Sequence, residues 1–395
     1  MTIHPFPFPF PFPFPARACA TLAVLLTATA PAEAREGLEL SGGYVADIAA
    51  TMAGGADRKA RFLDNLELGL DADLDKLWGV PATTVHIAAL YNGGLRPNDS
   101  AQTLEGLDNI EVGRSAVRLF EAWGETALPG GSLRLGLYDL NSEFYASEAA
   151  GLLIAPPFGI GSELAATGSN GPSIFPSSAL AARLRFELPA GKAYAQAAIV
   201  NARAQTFGDP GGVDLGFREG LIAIGEIGAG SRVRVNLGGW TYTRPAEALA
   251  AFDAAGNPLR ERPAGLYAGI EARLAKGEGR EIKAFVRGGI ARGRTEPFVS
   301  SAQAGLFVAP ALVGRDGSAF SVGLHQAVTS TDFRVAQEAA GSEPWQRERG
   351  IEITYADMVA PFLTLQPDLQ LIERRSPAGL APLAVHATLR MQFSF

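Results

Sequence analysis

Cysteine, basic charge and long apolar runs are all scarce in this sequence. Its 395 residues include one cysteine, Cys19, so an internal disulfide framework is excluded. The formal net charge of −7 argues against a nucleic-acid binder, because such proteins usually carry a basic surface. No stretch after residue 35 has the ~20 consecutive apolar residues of a transmembrane helix, which argues against a helical membrane protein. Glycine is abundant instead, at 46 residues, and 47% of the residues are hydrophobic.

The N-terminus has the layout of an export signal. The apolar run "ACATLAVLLTATA" (18–30) follows Arg17 and is itself followed by "AEA" (32–34). A short charged segment, an apolar core and an A-x-A pattern are typical of a secretory signal peptide. We therefore predict that residues 1–34, including the low-complexity "PFPFPFPFPFP" (5–15), are absent from the mature protein. Residues 35–395 are predicted to form one domain.

Alternation of apolar and polar residues dominates the rest of the chain. In the final stretch, "VHATLRMQFSF" (385–395), every second residue from Val385 to Phe395 is apolar. Because side chains alternate between the two faces of a strand, this pattern predicts a strand with one apolar and one polar face. The same pattern recurs at 66–75, 132–139, 182–188, 266–274, 282–290, 319–328, 351–359 and 362–373. At Gly238-Gly239 the alternation changes parity, which predicts a β-bulge.

Two architectures contain such strands: a soluble sandwich and a closed barrel with lipid outside and water inside. Here the polar faces continue over roughly 300 residues, and a single soluble core rarely grows that large. A closed barrel accounts for the pattern at any size and leaves no unpaired edge in lipid. Together with the signal peptide and the terminal Phe395, the pattern predicts an all-β, transmembrane antiparallel barrel in the outer membrane of a Gram-negative bacterium. The last strand is expected to close the barrel against the first.

Catalytic and metal-binding patterns are weak. His86, His325 and His386 are far apart and form no metal-ligand pair. "DADLD" (71–75) begins like a calcium loop, but Lys76 and Ala82 stand where that loop needs glycine and a carboxylate. No G-x-S-x-G turn occurs. We therefore predict no catalytic residues, metal or cofactor.

Several spaced motifs resemble the carbohydrate-selective porins of the OprB type. They are "NLELGLDADLDKLWG" (65–79), "ALYNGG" (89–94), "NIEVGRSAVRLFEAW" (109–123), "GLYDLNSEF" (136–144), "FGIGSELA" (158–165) and "NGPSIFP" (170–176). The resemblance implies a 16-stranded outer-membrane barrel that lets small sugars diffuse passively and is not an enzyme. Its expected partners are lipid, sugars and, through Phe395, the barrel assembly machinery; the oligomeric state, monomer or trimer, stays open. The alternatives are a general or anion-preferring porin, an outer-membrane enzyme and an exported soluble β-sandwich lectin.

The segment 140–178 separates two predicted strands by about 40 residues, which is long for a connection within a domain. Apolar residues run through it, among them Phe144, Ile154 and Phe158. A loop with this content needs a surface to pack against, so residues 141–176 are predicted to fold into the barrel and constrict it. The candidate hydrogen-bonding groups for sugar are Asp139, Asn141, Glu143, Glu163, Asn170 and Ser173. The alternative is that these residues cap turns and brace the loop.

Charged residues on neighbouring predicted strands are the other candidates for the pore lining. They are Arg114, Arg118, Glu121, Arg183 and Arg185. Arginines opposite carboxylates would give the pore a transverse field and rigid donors. The alternative is an ordinary polar wall in which these charges pair with each other. Trp78, Trp123, Trp240 and Trp345 are predicted to lie near strand ends as an aromatic girdle.

Overall fold

Sixteen long antiparallel strands form a closed barrel within the residues that the computed structural model describes, 36–188, 192–277 and 279–395. The predicted signal peptide and Cys19 lie outside these residues. The strands are β1 (Leu38–Ala53), β2 (Ala60–Asp73), β3 (Thr83–Gly94), β4 (Ala116–Leu128), β5 (Gly131–Tyr138), β6 (Ala179–Glu187), β7 (Ala193–Asn201), β8 (Leu221–Gly230), β9 (Val233–Tyr242), β10 (Ala264–Gly277), β11 (Arg280–Ala291), β12 (Phe298–Ala309), β13 (Ser318–Thr329), β14 (Arg347–Ala360), β15 (Leu363–Ser376) and β16 (Ala384–Ser394). Each strand pairs with its neighbours in sequence.

The shorter elements lie in the connections. The helices are α1 (Leu74–Trp78), α2 (Asn98–Ala101), α3 (Ser162–Ala165) and α4 (Thr331–Ala339), and 3₁₀ turns cover Leu140–Ser142, Glu148–Ala150 and Pro156–Phe158. A two-residue strand, Gly379–Leu380, pairs with β15. A separate hairpin, here called the rim hairpin, pairs Ala246–Phe252 with Pro258–Glu261. Across the described ranges, no helix combines the length and apolar character needed to span a membrane.

The barrel closes between its first and last strands, as the sequence predicts. β16 pairs with β1 from Gly43 opposite Ser394 to Thr51 opposite His386. The pairing extends to Phe395, whose N–H donates to the carbonyl of Gly42 and whose carbonyl accepts from the N–H of Gly42, each at 3.1 Å. Along β16, His386 and Arg390 are buried on the inward face, whereas Leu389 is exposed on the outward face. The closed barrel excludes the two-sheet sandwich.

Deleting Phe395 is expected to reduce the amount of folded barrel in the outer membrane. Phe395 extends the β1–β16 pairing by one position through Gly42, and the sequence predicts that the assembly machinery recognises this end. Its side chain is exposed. Heat-modifiable gel mobility of outer-membrane fractions would measure the folded fraction. F393S is the matched control, because Phe393 is an aromatic residue of the same strand that packs against Tyr44. Normal accumulation of the deletion variant would contradict the role given to the terminus.

In most strands, the alternation of apolar and polar residues correctly predicts which side chains face outward and which face the lumen. Leu68, Leu135 and Ile270 point outward and are about half exposed, while their neighbours in sequence face the lumen. The predicted bulge at Gly238-Gly239 is wrong. β9 pairs with β8 and β10 without a register break. The apparent change of parity arises because Trp240 and Tyr242 are apolar residues on the inward face.

The long connections share one end of the barrel. They are 95–115, 139–178, 202–220, 243–263 and 330–346, and each follows an odd-numbered strand. β1 begins and β16 ends at the opposite end, where most turns are short. Because outer-membrane barrels have short periplasmic turns and longer outer loops, the long connections mark the outer face. Two of them, 95–115 and 139–178, turn back into the lumen.

Candidate functional site

The connection 139–178, here called the constriction loop, packs against the inner wall of β7–β10. Leu140, Phe144, Tyr145, Ile160 and Leu164 join one buried apolar cluster. The wall contributes Ala198, Val200, Ile222, Ile224, Trp240, Tyr242 and Tyr267. Tyr145 stacks on Tyr267 with ring centroids 4.1 Å apart. The prediction that residues 141–176 fold inward is therefore confirmed, and the loop's apolar residues are the reason.

Wall carboxylates bind the backbone of the constriction loop. Glu226 of β8 accepts from the N–H of Tyr145 at 3.1 Å, and Glu271 of β10 accepts from that of Ala149 at 3.0 Å. Glu352 of β14 accepts from two successive N–H groups, those of Ile154 and Ala155. A loop inside a barrel has no strand partner, so these side chains satisfy donors that would otherwise be buried unpaired.

Carbonyl groups of the same loop are bound by donors from the wall. Arg287 of β11 donates to the carbonyls of Tyr145 at 2.6 Å, Pro157 at 3.0 Å and Gly159 at 3.2 Å. Gln366 of β15 donates to the carbonyl of Leu152 at 2.7 Å. The constriction loop is therefore held by side chains of strands between β8 and β15 along the barrel wall.

The second inward connection, 95–115, is here called the brace loop, and sequence reasoning missed it. Glu348 of β14 accepts from the N–H groups of Leu104 at 2.7 Å and Glu105 at 3.0 Å. Gln370 of β15 donates to the carbonyl of Leu107 at 2.9 Å. The sequence does contain a signal for this loop, because the connection is long and carries apolar residues, among them Leu107 and Ile110. Both are buried.

Two arginines and two glutamates meet where the constriction loop leaves the wall of β4–β6. Arg134 pairs with Glu125 at 2.6 Å. Arg183 pairs with Glu143 of the loop at 2.7 Å and with Glu125 at 2.9 Å. Arg183 is almost fully buried, whereas the other three side chains keep some exposure to the lumen. We call Arg134, Arg183, Glu125 and Glu143 the charge quartet; its formal charges cancel.

Trp123 lies inside the barrel beside the charge quartet. Its ring stacks with His86 at 5.0 Å between centroids, and the Arg134 guanidinium lies 3.7 Å from its centroid. Trp240 is buried beneath the constriction loop. The predicted girdle is therefore wrong for these two tryptophans, because both occupy inward positions. Trp78 is exposed in α1, and Trp345 lies in an outer loop beneath Arg374.

Arg114 and Arg118 hold the outer loop 202–220. Arg118 is buried and donates to Asp209 at 2.7 Å and to the Asn92 side-chain oxygen at 2.5 Å. Burial opposes ionisation of Asp209, but hydrogen bonds led by Arg118 hold its pKa below the usual value. Arg114 is exposed and donates to the carbonyl of Gly208. Arg114 precedes β4, so its predicted place in a strand is wrong. It lies in the connection 95–115, which is not part of the barrel sheet.

Most of the predicted loop residues make contacts within the protein. The Asp139 carboxylate accepts from the N–H of Asn141 at 2.9 Å, and Asn141 donates to the carbonyl of Gly159 at 3.1 Å. Ser173 is fully buried and donates to the carbonyl of Tyr138 at 2.6 Å. These contacts match the alternative in which the residues cap turns and brace the loop.

Glu163 and Asn170 also bind protein groups. Glu163 is fully buried and accepts from the hydroxyl groups of Tyr145 and Ser301. Burial raises the pKa of Glu163 above its usual value. Asn170 is exposed at the outer face and donates to the carbonyl of Ala204, which joins the constriction loop to the loop 202–220.

Glu121 and Arg185 retain contact with the open lumen. Glu121 accepts from the indole N–H of Trp123 at 3.0 Å and from the N–H of Asp139 at 3.1 Å. Arg185 donates to Glu187 at 2.8 Å, and its guanidinium lies 4.3 Å from the centroid of Tyr194. A cavity of about 400 Å³ begins beside Arg185 at the periplasmic end and extends along the constriction loop, with Glu143, Glu148, Arg234 and Glu271 in its lining. In the part of the chain that the structure describes, no cluster of three or more ligating side chains suits a metal ion.

Asp139 is expected to make the ion preference of the channel depend on pH. Burial and the neighbouring Glu121 raise the pKa of Asp139 from 3.8 to about 7. The carboxyl group is therefore neutral below that pH and negative above it, so preference for cations should increase as the pH rises. Reversal potentials in a salt gradient from about pH 5.5 to about pH 8.5 would measure this.

In D139N the pH response should be lost. D253N is the control, because Asp253 lies in an exposed turn of the rim hairpin, where hydrogen bonds from Asn257 hold its pKa below the usual value. An unchanged pH response in D139N would assign the effect to another group.

A closed barrel whose long loops fold inward and leave a charged passage beside them defines an outer-membrane porin. The family described as "Carbohydrate-selective porin, OprB family" matches residues 57–395, and the chain belongs to it. The protein is thus an outer-membrane channel of Gram-negative bacteria through which small carbohydrates diffuse passively. Family and fold are those of channels rather than enzymes.

Solved structures agree with this fold. The high-pH structure of OprB from Pseudomonas putida has a TM-score of 0.78 and 19% identity, and the match covers 96% of this chain and 97% of the other. The low-pH structure of the same protein has a TM-score of 0.57 and 16% identity, with coverage of 97% and 98%. The outer membrane channel DcaP of Acinetobacter baumannii has a TM-score of 0.57 and 11% identity, with coverage of 93% and 100%. No curated protein matches the sequence. At these identities the likeness establishes the fold alone.

Proposed function

We propose that uncharged sugars pass between the constriction loop and the wall formed by β3–β5, and then through the periplasmic cavity beside Arg185. The charge quartet carries this proposal. It places donors and acceptors side by side at the edge of the loop with no net charge, which suits the hydroxyl groups of a neutral polyol. His86, Glu121 and Ser142 offer further polar groups along the same route.

An anion-preferring porin is the second candidate, and the pairing of the arginines counts against it. Arg134, Arg183 and Arg185 each bind a glutamate. Arg234, in the cavity, binds Glu148 at 2.9 Å and Glu271 at 2.8 Å. A guanidinium that already has a carboxylate partner attracts an anionic solute weakly.

Liposome swelling would test the proposed function. Vesicles containing the purified porin should swell fastest with a neutral monosaccharide, more slowly with a disaccharide and slowest with a trisaccharide. A monosaccharide acid at the same osmolarity should enter more slowly than its neutral counterpart. Protein-free vesicles are the control. Faster entry of the acid would favour the anion-preferring alternative, and equal rates for all sugars would contradict a constriction.

We also propose how the protein is exported and assembled. Residues 1–34 act as the signal peptide, and Phe395 is the end that the assembly machinery recognises. N-terminal sequencing of the outer-membrane protein should begin near Arg35. Recovery of the Pro-Phe stretch on that protein would overturn the assignment.

A further inference from the structure

The brace loop and the constriction loop touch each other along one line inside the barrel. The N–H of Asn109 donates to the carbonyl of Ile154 at 3.0 Å. Gly106 has φ +86° and lies so close to Pro156 that an added Cβ would be 3.1 Å from the Pro156 Cγ. The hydroxyl of Ser162 donates to the carboxylate of Glu105. Residues 105–109 therefore run beside residues 154–162.

Glu105 contacts three elements: β13, the constriction loop and β14. Its side chain has 0% exposure, and one carboxylate oxygen lies 2.8 Å from Nδ1 of His325 on β13. The other oxygen accepts from Ser162 of the constriction loop. Its own N–H donates to Glu348 of β14 at 3.0 Å. The carboxylate thus links the constriction loop to the wall on the side opposite the charge quartet.

His325 adds a second contact with the constriction loop at the same place. Its ring meets Phe158 edge to face at 5.6 Å between centroids. On its other side the ring lies over Gly350, where an added Cβ would be 2.2 Å from Nε2. Phe158 itself packs against Phe285 of β11. Glu105 therefore orients a ring on which the loop rests.

We infer that Glu105 is a positioning residue that sets the width of the sugar passage. The first part of the constriction loop is held by Glu226 and Glu271. From Ile154 onward, Glu352 of β14 and Arg287 of β11 bind the loop backbone, and Glu105 adds the bond to Ser162 and orients the His325 ring under Phe158. Without the Glu105 carboxylate, Ser162 and His325 lose their shared partner and this part of the loop gains freedom to move. The strand ladder does not use the Glu105 side chain, so the barrel stays closed. The inference rests on the proposed function, because it assumes that the constriction loop limits passage.

Single-channel recording on the purified full-length porin tests this role. E105A should show a larger mean conductance than the wild type and a broader distribution of conductance levels. E105Q keeps an oxygen that accepts from Ser162 and an amide that bonds to His325 in its other tautomer, so it should restore wild-type values. S162A removes only the hydrogen bond from Ser162 to Glu105 and should show a smaller increase. E111A is the matched control, because the Glu111 carboxylate bonds to Asn98 and Arg96 within the brace loop.

The outcomes separate this inference from the proposed function. A variant with a shortened constriction loop is recorded alongside as a reference for an open passage. If that variant conducts more and E105A and S162A behave as the wild type, the positioning role is wrong and the constriction stands. If none of them changes conductance, both ideas fail. If E105A does not fold, S162A decides, and wild-type conductance of S162A overturns the inference. Heat-modifiable mobility of each variant confirms that the recorded channels are closed barrels.

Discussion

Replacing residues 145–172 with a short Gly-Ser linker should raise single-channel conductance severalfold and admit larger sugars. These residues contain most of the chain that fills the lumen between β8 and β15, while β5 ends before the replaced segment and β6 begins after it. The wall under the loop is already a closed ladder, so the opening should widen without loss of the barrel. Conductance in planar bilayers and swelling rates for mono-, di- and trisaccharides would measure the effect.

Shortening the rim hairpin is the matched control for this experiment. That hairpin also belongs to a long outer connection, but it contacts α4 and bonds to loop 292–297 through Leu249 and Arg294. Its removal should leave conductance close to the wild-type value. Unchanged conductance after shortening of the constriction loop, in a barrel that shows heat-modifiable mobility, would rule out the constriction.

Replacement of Arg390 by methionine is expected to destabilise the barrel by about 3 to 5 kcal/mol, the usual cost of removing one partner from a buried ion pair. Arg390 of β16 donates to Asp47 of β1 at 2.7 Å and to Asp108 of the brace loop at 3.1 Å. It also donates to the side-chain oxygen of Asn109 at 2.7 Å. Without the guanidinium, two buried carboxylates face each other at the seam where the barrel closes.

Urea unfolding in lipid vesicles, followed by gel mobility, would measure the loss. R349M is the control: Arg349 bonds to Glu373 at 3.0 Å near the outer rim, is half exposed, and should contribute less than about 1 kcal/mol. Combining R390M with D47N and D108N should recover part of the stability by removing the uncompensated charges. A single R390M variant as stable as R349M would show that the seam does not depend on this cluster.

The sequence predicts the barrel well because strand alternation is a local pattern of period two. It fails at β9 for the same reason, since it cannot tell an inward aromatic residue that meets a loop from an outward one that meets lipid. Trp240 and Tyr242 therefore look like a shift of register. The long apolar connection correctly predicts an inward loop, and the same rule would have predicted the brace loop had it been applied to residues 95–115.

The candidate functional site is harder to predict than the barrel, because its ion pairs join residues that are far apart in the sequence. Arg183 and Glu143 are 40 positions apart, and Arg390 and Asp108 are 282 apart. Which partner an inward arginine finds depends on strand register and on where a loop crosses the lumen, and neither follows from composition. Arg118 shows this clearly, because it lies on β4 and its partner Asp209 lies in the outer loop between β7 and β8.

The way in which the wall holds its two loops bears on how such channels diversify. Glu226, Glu271, Glu348 and Glu352 bind N–H groups, and Arg287, Gln366 and Gln370 bind carbonyls. Every residue supplies a carbonyl, and every residue except proline supplies an N–H. Side chains of the loops can therefore change over generations while their anchorage persists, provided that the polar residues of the wall are retained. Selection for a new solute can act on the loop sequence without rebuilding the barrel.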